Sequence, residues 1–192
     1  FKLIFHELSS KESELIFEDD KVSVHTIPLD HRVYTNGFIF KEKPFERKLD
    51  IEKAKALNID KAYFRKLKQG ADVVNEDDEV IENSAVTLDG KQPKSYAFCS
   101  DTAYKEDIVP ILKDVDVLYH ESTFLEDHEH LCVKTKHSTA KQAATIALKA
   151  NAKHLILGHY STRYGGLEGF KSEAETVFSD VLLAEDGKTF TF

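Results

Sequence analysis

The sequence predicts an α/β layered fold, and three observations carry that prediction. From Ser95 onward, short apolar runs alternate with longer segments of helical spacing, the pattern of strands joined by helical crossovers. Hydrophobic residues make up 41% of the chain and charged residues 31%, a composition that can bury a core. Ionisable residues follow the carboxyl ends of several apolar runs, where open α/β sheets build their sites.

Taken in order, the first forty residues read as short strands over 1–5, 14–17, 22–27 and 37–40, separated by Ser, Asp and Asn-Gly punctuation. The composition then shifts. Residues 41–68 hold ten Lys/Arg against five Asp/Glu, whereas residues 69–90 hold seven Asp/Glu and no Lys/Arg. The basic part predicts two short helices, over 51–57 and 61–69, the second stopped at Gly70. Together, 41–90 read as an arm inserted between two core segments. Beyond it the spacing predicts a strand over 96–99, a helix over 105–113 and a strand over 115–119. A long helix over 139–150 and a strand over 154–157 follow, then a helix near 170–178 and a strand over 181–184.

Charge and composition exclude several classes. The net charge of −8 argues against coating nucleic acid by bulk charge, though a local basic patch remains open. No apolar run approaches the roughly 20 residues of a membrane helix, and no charged-then-apolar leader opens the chain. The two cysteines, Cys99 and Cys132, form no CxxC pair, so a reducing, cytoplasmic setting is expected.

The candidate site is a matter of position. Asp101, Glu121 and His159 each follow a predicted strand, and His31 follows another after a Pro-Leu-Asp turn. Taken alone, an Asp after a strand is usually a turn or cap residue. Four ionisable groups delivered to one edge make a candidate constellation. Two imidazoles and a carboxylate able to bridge two ions suit zinc. The stretch Asp127-His128-Glu129-His130 contains an HxH but reads as a solvated loop between elements.

Four runs carry a family resemblance: Phe98-Cys99-Ser100-Asp101-Thr102, Leu118-Tyr119-His120-Glu121-Ser122-Thr123-Phe124, His137-Ser138-Thr139-Ala140-Lys141-Gln142-Ala143-Ala144 and Leu155-Ile156-Leu157-Gly158-His159-Tyr160-Ser161-Thr162-Arg163-Tyr164. Together with Pro28-Leu29-Asp30-His31-Arg32 and Gly37-Phe38 upstream, the chain resembles the ribonuclease Z family of tRNA 3′-processing endonucleases, in the metallo-β-lactamase superfamily. The resemblance implies the C-terminal part of a metallo-β-lactamase αβ/βα four-layer sandwich over residues 1–192, carrying the inserted helical arm. It implies removal of the 3′ trailer from precursor tRNA by hydroxide attack on a phosphodiester, with two zinc ions in the complete site. By resemblance His31, Asp101 and His159 are zinc ligands, Asp101 the bridging one. His137 stands beside the scissile phosphate, protonating the leaving oxygen or stabilising developing charge, with Glu121 orienting it. Arg163 contacts phosphate or braces its loop. The basic part of the arm, with Lys61, Arg65, Lys66 and Lys68, would grip tRNA, and family members form homodimers.

The chain departs from the family pattern in three places. Asp60-Lys61-Ala62-Tyr63 replaces a Gly-Pro turn in the arm, and the strand end reads Cys99-Ser100-Asp101-Thr102-Ala103. The superfamily's HxHxDH motif is absent, since His128-x-His130 runs on into Leu131-Cys132 and lies after Asp101. With no methionine either, the chain reads as a C-terminal part that needs an HxHxDH-bearing N-terminal part, binds zinc weakly and does not cut alone. Two other readings remain: another phosphodiesterase of the same superfamily, and a non-catalytic tRNA-binding or dimerising fragment.

Overall fold

The computed structural model describes residues 1–192. Three strands open the chain: β1 (Leu15–Glu18), β2 (Val22–Pro28) and β3 (Asn36–Glu42). Lys43–Pro93 then form a compact unit of their own. It holds β4 (Lys48–Leu49), α1 (Ile51–Ala56), α2 (Phe64–Lys68), β5 (Val73–Val74), β6 (Val80–Ile81), α3 (Asn83–Val86) and β7 (Thr87–Leu88). The main unit resumes with β8 (Ser95–Cys99), α4 (Val109–Leu112), β9 (Val117–Glu121), α5 (Glu129–Thr135), α6 (Ala140–Lys149), β10 (His154–Gly158), α7 (Glu168–Glu175) and β11 (Val181–Leu183).

The main unit is one seven-stranded sheet in the order β1-β2-β3-β8-β9-β10-β11. Strands β8 to β11 are parallel, as their helical crossovers require, whereas β1-β2, β2-β3 and β3-β8 are antiparallel. Two antiparallel steps restore direction, so β2 runs the same way as β8. The carboxyl ends of β2, β8, β9 and β10 therefore meet at one edge of the sheet.

One face of the sheet packs against helices. Ile27, Ile39, Ala97, Leu118, Leu155 and Leu157 point into a core shared with α4, α6 and α7. Helix α6 lies close to the sheet because Ala140, Ala143, Ala144 and Ala147, spaced i, i+3, i+4 and i+7, are all fully buried. Its start is set by a capping box between Thr139 and Gln142. The opposite face carries an aromatic row. Phe98 stacks on Tyr119 at 4.7 Å between centroids and Phe40 meets Tyr96 at 6.1 Å, with Phe40 and Phe98 partly exposed. The sheet thus carries its helices on a single face.

The Lys43–Pro93 unit has its own small core of Ala54, Ile59, Leu67, Val73, Ile81 and Val86. Helix α1 is capped by Asp50, and Asp60 caps a 3₁₀ turn over Lys61–Tyr63 that leads into α2. The replacement for a Gly-Pro turn is therefore itself a capped helical start.

Several expectations are corrected. Residues 1–5 belong to no strand; Phe1, Leu3, Ile4 and Phe5 are exposed, since a strand needs a hydrogen-bonded neighbour and the sheet ends at β1. The strand expected over 115–119 spans Val117–Glu121 instead. Asp114 adopts a left-handed turn, and Asp116 accepts hydrogen bonds from Ser95 before the ladder begins. Residues 126–130 are not a loop, because a 3₁₀ turn over Glu126–His128 runs straight into α5.

Gly37 is required by a close approach. A Cβ there would sit well inside van der Waals contact of the Phe98 carbonyl oxygen and against the Cys99 Cα, where β3 meets β8. Gly37→Ala is expected to cost about 1–3 kcal/mol, read as a lower denaturant midpoint with an unchanged slope.

Candidate active site

The sheet edge gathers the side chains singled out in the sequence. Asp101 lies two residues past β8, Glu121 is the last residue of β9, and His159 follows β10 directly. Asp101 and His159 both take left-handed backbone conformations, φ 60° and 59°. Such geometry is uncommon outside glycine, although Asp and His adopt it more readily than most residues. It turns each side chain back over the edge that its strand has just left.

Glu121 is fully buried and every part of its carboxylate is used. Oε1 accepts from Thr102 N at 2.7 Å and from His137 Nδ1 at 2.8 Å. Oε2 accepts from Thr123 Oγ1 at 2.7 Å, Ser138 N at 3.0 Å and Thr123 N at 3.3 Å. Burial alone would push this carboxyl up, but the hydrogen bonds from His137, Thr123 and Ser138 outweigh it and hold the group below its ordinary value. The same bond from Glu121 raises the His137 pKa against the opposing effect of burial, so the imidazole keeps its proton to higher pH. The segment that brings His137 here turns at Lys136, a left-handed residue closing α5.

Asp101, Glu121, His137 and His159 place their donor atoms within 4.8 Å of one another. His159 Nε2 lies 3.1 Å from Asp101 Oδ1, and His137 Nδ1 lies 4.0 Å from it. Glu121 has no lone pair to spare for an ion. His31 is outside this group of mutually close atoms, but its ring centroid lies 5.3 Å from that of His137. Its Nδ1 pairs with the Lys136 carbonyl at 3.0 Å, which leaves Nε2 free. The donor set fits a metal: imidazole nitrogens and a carboxylate oxygen converge, and two of those ligand atoms face each other at 3.1 Å.

Other candidates lie elsewhere. Arg163 is exposed on the loop that begins at His159, its N–H donating to Ser161 Oγ. Lys61, Arg65, Lys66 and Lys68 are exposed in the Lys43–Pro93 unit, with Lys66 Nζ 5.4 Å above the Tyr63 ring. Arg65 and Lys68 share a groove of about 690 Å³ with Arg47, Lys48 and Phe64. In the HxH stretch, His128 Nδ1 meets Asp127 at 2.7 Å and the Tyr164 hydroxyl at 3.0 Å, and neither His128 nor His130 joins the metal-like group.

Sequence reasoning assigned no role to Thr102, Thr123 or Ser138, which supply four of the five bonds to Glu121. Thr102 and Ser138 donate through backbone N–H, which residue type does not mark, and only Thr123, two residues after Glu121, donates with its side chain as well.

A model for the "Beta-lactamase superfamily domain" matches residues 17–160. The chain belongs to the beta-lactamase superfamily. Among superfamily relatives, a protein named ribonuclease Z from Cytophaga hutchinsonii is 42% identical over 99% of this chain and 61% of its own length. Another so named, from Parabacteroides distasonis, is 40% identical over 97% of this chain and 62% of its own length. The chain thus spans about three fifths of the length of these relatives. The crystal structure of human tRNase Z, short form, matches with a TM-score of 0.55 at 21% identity, over 94% of this chain and 47% of that one, and so shares the fold. This is the metallo-β-lactamase fold, an α/β arrangement with a mixed sheet. No helix is long and apolar enough to cross a membrane.

Glu121→Ala is expected to strip five donors of their acceptor and to destabilise the chain by at least about 3 kcal/mol. Glu121→Gln should cost less, since one amide oxygen still accepts. Chemical denaturation of both variants checks the order.

Proposed function

We propose that this chain is the C-terminal part of a zinc-dependent endoribonuclease that removes the 3′ trailer from precursor tRNA. The observation that carries the reading is the Glu121–His137 pair set beside Asp101 and His159, in a chain whose relatives are named ribonuclease Z along nearly its whole length. In this reading His31, Asp101 and His159 hold zinc, with the remaining ligands supplied by an HxHxDH-bearing N-terminal part. Bound zinc would supply charge stabilisation and an activated nucleophile at neutral pH. His137 does the rest of the proton work. Its Nδ1–H is committed to Glu121, so its Nε2 can hold the proton destined for the leaving oxygen, and Glu121 favours the protonated imidazole and aims it. Phosphate contacts by Lys61, Arg65, Lys66 and Lys68 would place tRNA through the inserted arm, and Arg163 would contact a phosphate nearer the cut. A cytoplasmic homodimer is the assembly this reading expects. Its uncovered aromatic sheet face, with Phe40 and Phe98, would be closed by the N-terminal part.

A precursor tRNA labelled in its 3′ trailer tests the proposal. The 192-residue chain alone should not cut it, whereas the protein restored to the length of its relatives should; robust cleavage by the chain alone would overturn the division of the site. In the restored protein, His137→Ala should lower kcat by about 100- to 10,000-fold. Deleting residues 43–93 should raise KM for precursor tRNA while leaving turnover of a small phosphodiester nearly unchanged. Equal loss on both substrates would remove the arm from tRNA binding.

A further inference from the structure

One hydroxyl joins the buried carboxylate to a proposed metal ligand. Thr123 Oγ1 lies 2.7 Å from Glu121 Oε2, 2.9 Å from His159 Nδ1 and 3.1 Å from the His159 carbonyl oxygen. A threonine hydroxyl has one proton and two lone pairs. All three neighbours can accept, but an ionised carboxylate does nothing else and makes the shortest contact, so the proton points at Glu121, with the His159 carbonyl oxygen as its weaker second acceptor. Thr123 Oγ1 is then an acceptor toward His159, and His159 Nδ1 must be the donor. That choice leaves the Nε2 lone pair bare on the other side of the ring, facing Asp101 Oδ1 at 3.1 Å. Two electron-pair donors at that separation repel each other unless a proton or a cation lies between them.

We propose that Thr123 is a positioning residue for metal: its hydroxyl, oriented by Glu121, holds His159 as the Nδ1–H form and presents Nε2 together with Asp101 to a divalent cation. The inference rests on the metal reading of the site given above and names the group that sets one ligand's tautomer. Imidazole ligands are commonly set this way by a hydrogen bond to the other ring nitrogen, and loss of such a partner weakens metal binding. Thr123 is nearly buried, so water does not readily replace the hydroxyl.

The test is titration of wild type, Thr123→Val and Thr123→Ser, each in the protein restored to the length of its relatives, with Zn²⁺ by calorimetry and with Co²⁺ by visible absorption. Valine keeps the shape and removes the hydroxyl, and should weaken both metals by about 10- to 100-fold; serine keeps the hydroxyl and should restore wild-type binding. A purely structural Thr123 would instead lower the melting temperature of the metal-free valine variant without changing its metal affinity, and that result overturns the proposal. A second readout needs no variant. In the zinc-loaded wild-type protein of restored length, His159 Nδ1–H should give a slowly exchanging downfield proton resonance, and its absence overturns the proposal even where Thr123→Val fails to fold. A wild-type protein of restored length that takes up neither metal overturns the zinc reading as well, whereas equal binding by wild type and valine variant overturns this inference alone.

Discussion

The site depends on one buried carboxylate. Glu121 sits at the end of a central strand with no exposure, and five hydrogen bonds converge on its two oxygens. An uncompensated charge there would cost several kcal/mol, so the surrounding loops can take only arrangements that supply those donors. Thr102 N ties down the loop after β8, which carries Asp101. Ser138 N and His137 Nδ1 tie down the turn between α5 and α6. Thr123 ties down the start of the loop after β9 and reaches His159 across it. Four segments far apart in sequence are thereby registered against a single group.

Sheet topology brings those segments within reach. The parallel half delivers Asp101, Glu121 and His159 to one edge, and the two antiparallel steps through β3 bring the end of β2, with His31 beyond it, to the same edge. The left-handed backbone at Asp101 and His159 then turns both side chains toward each other. Sites often hold backbone in such sparsely populated conformations where the surroundings over-determine it. Here the surroundings are the Glu121 bond to Thr102 N, directly after Asp101, and the Thr123 hydroxyl at His159.

Much of this was legible in the sequence. The alternation after Ser95 gave the parallel half because each crossover is long enough to form a helix, and the residues after each apolar run marked the edge. The charge reversal at residue 69 falls inside the separately packed unit Lys43–Pro93. Less legible was anything set by backbone angle or by a third partner. Residues 1–5 have strand-like composition but no neighbour to pair with. Asp127–His130 look like a polar loop because the apolar side of α5 is short, with Cys132 its one buried residue. The roles of Thr102, Thr123 and Ser138 depend on where a distant carboxylate ends up, which periodicity does not encode.

In the proposed metal site Glu121 organises the ligands and is not a ligand itself. The most direct measurement is anomalous diffraction at the zinc edge from crystals of the zinc-soaked chain. The expected result is a peak bound by His159 Nε2 and Asp101, with Glu121 still accepting from Thr102, Ser138 and His137. A peak bound directly by Glu121, or one at His128 and His130 instead, would contradict it.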